Sequence, residues 1–201
     1  MQKWALVFIG ALLWAQVRIG AVIAPQATTA KGEMDKDYFI TGVATGLSGE
    51  IAFPDYYAAI GMDLLTSFAG WREEERGYGE VYKRADHRLT TLQVPLYVRA
   101  QWLPIGGAGA GLTAIVGTQS DVLLGARVRP EGGSFTRNTS NYGRFAGALL
   151  GGLGFSYEGE MDYAMTVDLR ISYSFINLKK AKGGRINPAW FMLRVAFYLA
   201  Q

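Results

Sequence analysis

Residues 163–175, YAMTVDLRISYSF, constrain the fold more than any other stretch of the chain. Tyr163, Met165, Val167, Leu169, Ile171, Tyr173 and Phe175 are all apolar or aromatic, while Ala164, Thr166, Asp168, Arg170, Ser172 and Ser174 are small or polar. Successive side chains of a strand point to opposite faces, so this is a strand with two incompatible faces. It outruns the roughly 5–6 residues of an ordinary strand. The apolar face carries aromatics near both ends and aliphatics between them, as in a strand that crosses a membrane with lipid on one side and a polar interior on the other. A long strand of a soluble sandwich or lipocalin-like barrel alternates in the same way, so the rest of the chain must decide.

At 201 residues the chain is one domain, or one barrel behind a leader. Twenty basic against 17 acidic residues leave a net charge of +3, with no lean toward nucleic acid. The absence of Cys excludes disulfides and thiolate metal sites, and the single histidine, His87, excludes a multi-His metal centre. No metal or cofactor is expected. Abundant Gly (26) and 13% aromatics beside 18% charged residues fit an all-β chain.

The opening MQKWALVFIGALLWA predicts a secretory signal peptide over residues 1–15, with the barrel on 16–201. The apolar run can be extended to Ala24 as a membrane anchor, but Gln16 and Arg18 interrupt it, and a central Arg costs about 2.5–3.5 kcal/mol on insertion. Cleavage after Ala30 offers better small residues but would remove a two-faced segment bearing Val17, Ile19, Ala21 and Ile23. Cleavage after Ala15 keeps it as the first strand.

Strands are expected at 16–25, 38–53, 56–71, 89–103, 108–129, 142–158, 163–175 and 189–201. Polar loops at 26–37, 72–87, 131–141 and 179–188 alternate with short turns at 54–55, 103–106 and 159–160. Pro95, inside the fourth strand, cannot donate a ladder hydrogen bond, and a bulge is expected there. Long and short connections in strict alternation, with both termini at the short-turn end, are the layout of a membrane barrel. The fold class predicted is all-β: an eight-stranded antiparallel up-and-down transmembrane β-barrel in the outer membrane.

The inward face would carry Arg18, Glu50, Asp63, Arg99, Arg144, Glu158, Asp168, Arg170 and Arg194. A barrel of this size has an interior just wide enough for side chains, and opposite charges there should pair. These residues therefore predict a structural charge network filling the lumen, against the alternative of an ion or substrate path. The same carboxylates could be cast as an acid/base pair, but arginines outnumber them. His87, placed beside the 72–87 loop, has no Ser close by as a nucleophile, so no catalytic residue is assigned. The mixed charges of 72–88 suit a solvated loop, or a docking surface for a surface polysaccharide or partner protein. Lys179, Lys180, Lys182 and Arg185 could meet lipopolysaccharide phosphates. The Asn138-Thr139-Ser140 sequon is read as chance.

Leu92-Gln93-Val94-Pro95-Leu96-Tyr97-Val98 resembles the "LEIPLLLKY"-type strand of the PorT-like outer-membrane β-barrel family common in Bacteroidetes, with Gln93 where that motif usually has Glu. Val17-Arg18-Ile19-Gly20-Ala21 is similar to its opening strand. The glycine-rich 147–155 segment followed by LRISYSFINL resembles its late strands. The resemblance covers most of 16–201 and implies an OmpA/OmpX-style eight-stranded barrel. The chain departs from it by ending Ala200-Gln201 instead of on an aromatic. The namesake's part in type IX secretion does not transfer with so short a set of motifs. The expected role is a non-enzymatic, monomeric outer-membrane protein whose outer loops do structural, adhesive or partner-docking work. Its partners would be outer-membrane lipid or lipopolysaccharide and another envelope or secretion-system protein. A narrow porin and a lipid-modifying enzyme are the alternatives.

Overall fold

The computed structural model describes residues 15–31, 36–53, 57–77, 80–105, 109–139, 142–159, 163–175 and 187–200. Their strands are β1 (Gln16–Lys31), β2 (Lys36–Phe53), β3 (Ala58–Gly77), β4 (Glu80–Ile105), β5 (Ala110–Pro130), β6 (Thr136–Arg137), β7 (Phe145–Glu158), β8 (Tyr163–Ser174) and β9 (Asn187–Ala200). Neighbours follow the order β4-β3-β2-β1-β9-β8-β7-β5, and β4 pairs back onto β5, so the sheet closes on itself. Eight long antiparallel strands make the wall. The two-residue β6 lies against Arg127 and Val128 of β5, beyond the stretch where β5 pairs with β7. Closure gives every strand two neighbours, which a β structure needs where no water can satisfy an open edge.

Alternation sets the two faces. In β8, Leu169 is 59% exposed while its neighbours Asp168 and Arg170 are 0% and 1% exposed. Val17, Ile19, Leu47, Ile60, Met62, Leu96, Val116, Leu153 and Phe197 join the outward apolar belt. From Ile60 to Phe68 the outward residues of β3 cover roughly 20 Å of membrane normal at about 3.4 Å per residue and ~40° tilt. This approaches the ~25 Å apolar band of outer-membrane barrels. The termini share one end with the connections at 54–57, 106–109 and 159–162, which assigns that end to the periplasm.

The opposite end differs from the expected loops. Residues 72–77 and 80–87 are a continuation of the β3–β4 ladder, with Arg72 opposite Asp86 and pairing continued to Gly77 and Glu80. Charged residues at successive positions hide the alternation: Asp86 and His87 are neighbours on opposite faces, and both are buried. Most of the expected 26–37 loop is strand as well, since β1 runs to Lys31 and β2 starts at Lys36. Within 131–141, β6 folds back onto β5. Residues 1–14 of the proposed 1–15 leader and residues 179–186 of the basic 179–188 segment lie outside the described residues.

Pro95 does not make a bulge. On the β3 side Met62 pairs with Leu96 and Leu65 with Gln93, one unbroken register, although pairing lapses at the two rungs between them. Pro25 stands at a similar lapse between β1 and β9. The register shifts fall elsewhere, at Glu75/Arg76 between β3 and β4, at Gln101/Leu103 between β4 and β5, at Ile40/Val43 in β2, and between Thr90 and Thr91 of β4 against β5. The latter inverts the faces of β5: Leu123 is buried and Leu124 exposed before Gly125, whereas Ala126 is buried and Arg127 exposed after it.

Placing a charge on the lipid face at mid-membrane should cost about 2–4 kcal/mol. Leu169→Arg should lose that much in urea unfolding from lipid vesicles, whereas Ser172→Ala on the inward face should lose about 1 kcal/mol or less.

Candidate functional site

The middle of the lumen is occupied by three arginines and three carboxylates. Asp63 of β3 lies at the hub. It receives Nε and Nη2 of Arg194 at 2.8 Å each, Nη1 of Arg170 at 3.0 Å and the Ser48 hydroxyl at 2.6 Å. Asp168 Oδ2 accepts from Arg170 Nη2 at 2.9 Å and Arg194 Nη1 at 3.0 Å, with Arg99 Nη2 at 3.5 Å. Glu50 accepts from Arg99 Nη1 at 3.1 Å and from the hydroxyls of Tyr97 and Tyr198 at 2.8 Å each. All six charged side chains are buried. Their charges cancel, and at this depth uncompensated charge would be costly.

Tyr97 is the second organiser. The guanidinium carbon of Arg170 lies 4.2 Å from its ring centre, in the range of a cation–π contact. The ring fits because its cross-strand partner is Gly61, where a Cβ would run into the ring and hydroxyl of Tyr97. Toward the periplasmic mouth, Arg18 Nη2 donates to Glu158 Oε1 at 2.7 Å. A cavity of about 280 Å³ opens there, lined in part by Arg18, Arg99, Gln101, Thr113 and Glu158.

The outer end is built differently. Trp71 of β3 and His87 of β4 are cross-strand partners and stack at 4.9 Å. His87 Nδ1 is hydrogen-bonded to the Tyr142 hydroxyl, and Leu89, Leu123, Ala126 and Ala146 pack around them. On the other face of the hairpin, Asp86 accepts from Arg72 Nε and from Arg129 Nη2, both at 2.6 Å. The Arg72 hydrogen bond, with Arg129 beside it, holds the Asp86 carboxyl down at about 2, against the partial desolvation that opposes ionisation. Along β3 and β5 this pair lies beyond the last exposed apolar residues, Phe68 and Leu124.

A family model for the outer membrane protein beta-barrel domain matches residues 14–180. The chain belongs to that family. Among solved structures it is similar to Neisserial surface protein A (10% identity, TM-score 0.46), covering 91% of this chain and 96% of that one. It is also similar to Ail, the attachment invasion locus protein of Yersinia pestis (15% identity, TM-score 0.43), over 90% and 98% of the two chains. A third similarity is to OprG from Pseudomonas aeruginosa (12% identity, TM-score 0.41), over 92% and 93%. No curated protein matches the sequence.

In this outer-membrane β-barrel the structure brings Glu50, Asp63, Arg99, Asp168, Arg170 and Arg194 into one network, with Arg18 nearer the periplasmic mouth. Arg144 is not among them. Its side chain is exposed, because β7 starts only at Phe145 and the Arg144 carbonyl instead accepts from the Leu123 N–H at 2.9 Å. His87 sits in a strand and is buried, not at a loop edge. Sequence reasoning overlooked Ser48, Tyr97 and Tyr198 as members of the network. Their even or odd parity with Glu50, Arg99 and Arg194 was the available signal. It also missed buried Asp121, which accepts from Gln119 Nε2 at 2.8 Å. Among the described residues no three His, Asp or Glu side chains gather as a metal site would.

Removing one member of a buried pair should cost about 3–5 kcal/mol by stranding its partner. Arg194→Met should do so in urea unfolding, and Arg194→Met combined with Asp63→Leu should cost less than the two single changes added together. At the rim, the Asp86 carboxyl should titrate near 2 by NMR, and Arg72→Gln should move it up toward the ordinary 3.8. Because the folded value is the lower one, the Asp86 contribution to stability is complete above about 4 and fades as pH falls through 2.

Proposed function

We propose that this protein is a non-enzymatic, monomeric outer-membrane barrel of the PorT-like group, closed to solute flow. On this reading it works through its outer end as a structural, adhesive or partner-docking component. The observation that carries the reading is the lumen network itself: three guanidiniums, three carboxylates and two tyrosines from β2, β3, β4, β8 and β9 fill the cross-section. The β3–β4 hairpin supports the docking role. It continues as paired strand beyond the apolar belt and is braced at its base by Arg72, Asp86 and Arg129. A rigid, charged projection presents a fixed surface to another envelope protein at low ordering cost. The chain would reach the membrane through a signal peptide ending at Ala15.

A narrow channel is the second reading, favoured by the polar cavity at the periplasmic mouth. Planar-bilayer recording separates the two. The purified protein should show no large, steady open state, and such a state in the wild type would sink the closed-lumen reading. If the hairpin is the docking surface, a partner crosslinked to the wild type should be lost when residues 73–85 are replaced by a short turn.

A further inference from the structure

We propose that the outward wall at the outer rim carries a binding site for a phosphorylated, multiply acylated glycolipid of the outer leaflet. Arg88 of β4 stands directly opposite Arg127 of β5, and Arg127 stands directly opposite Arg137 of β6. All three are exposed, and Arg88 and Arg127 alternate with the inward residues His87, Leu89 and Ala126. Like charges directly opposite on one face destabilise a sheet. Among the described residues none of the three forms an ion pair. The neighbouring carboxylate, Asp86, is already held by Arg72 and Arg129. Phe135 lies against the Arg88 guanidinium at 5.0 Å, which orients it without neutralising it. A row of this kind is stabilised by an anion from outside the chain.

Directly beside the row is a groove of about 870 Å³, whose walls include Val43, Phe68, Thr90, Leu124 and the three arginines. Phe68 and Leu124 are 52% and 53% exposed and belong to the lipid-facing belt. The groove lies where the register shifts of β2 and of the β4–β5 pair come together, and such shifts bend a sheet locally. Cations above and an apolar trough below match an amphiphile whose phosphates sit at the rim and whose acyl chains run down the wall. Three arginines across two inter-strand spacings cover roughly 10 Å. That is more than one phosphate spans with bidentate hydrogen bonds, so a headgroup with more than one phosphate fits better than a phospholipid. The site stands whether or not the lumen conducts.

The test is native mass spectrometry of the full chain in detergent with three probes: bisphosphorylated hexa-acyl lipid A, the same lipid without phosphates, and phosphatidylglycerol. A one-to-one adduct is expected with the first and about tenfold less with the other two, a difference of about 1.4 kcal/mol. Arg88→Gln, Arg127→Gln and Arg137→Gln combined should weaken the lipid A adduct by at least about tenfold, while Arg144→Gln keeps it. Folding is checked by the heat-dependent gel shift of the barrel. If the triple variant does not fold, Arg127→Gln alone, at the centre of the row, should still weaken the adduct by about threefold. Equal adducts in wild type and the folded arginine variant, or equal retention of phosphatidylglycerol, would overturn the proposal.

Discussion

A guanidinium taken out of water costs several kcal/mol unless a carboxylate and further acceptors meet it, and three of them lie in the core of this barrel. Every other property of the interior follows from meeting that demand. Asp63 is placed so that two arginines reach it, Asp168 so that three do, and Glu50 so that Arg99 and two phenols converge on it. The small inward residues Ala24, Ala44 and Gly61 leave room for the long side chains opposite. The wall supplies position, and the charges supply the reason for each position to be held.

Position along the axis separates three chemistries. At the periplasmic mouth Arg18 and Glu158 pair beside a polar cavity. In the middle three arginines and three carboxylates pair off, all of them buried. Toward the outside, Trp71, His87 and Tyr142 cluster on the inward face, while the arginine row faces away from them. The shifts at Ile40/Val43 and Thr90/Thr91 lie in that outer third, whereas the one at Gln101/Leu103 lies at the periplasmic end.

The barrel could be read from the chain wherever one face meets lipid and the other does not. Leu169 against Asp168 and Arg170, or Leu193 against Arg194, shows the alternation without ambiguity, and that is why most of the lumen charges were visible. Legibility fails where this asymmetry ends. Residues 72–87 carry charges on both faces and read as a loop, so the buried stack of Trp71 on His87 was hidden. Arg144 was misplaced by extending β7 past its true start: it has the parity of the inward Ala146 and Ala148, but parity sets a face only inside the strand. Pro95 suggested a bulge on propensity, yet tertiary pairing on both sides kept the register. The rim arginines become a row only once β4, β5 and β6 are aligned, because only the pairing register sets Arg88, Arg127 and Arg137 side by side.

The seam between the first and last strands has a missing rung beside Pro25, level with Arg194. There the side chain of Arg194 reaches past β1 to Ser48 on β2 and Asp63 on β3. That lapse in the backbone ladder is thus spanned from within by Arg194. Until β9 arrives, Asp63 and Asp168 lack one of their cations, so a chain short of its last strand has an unbalanced interior as well as an open edge. Neutralisation of the lumen and completion of the cylinder are a single event, which makes the charge balance itself a check that the whole polypeptide has been assembled.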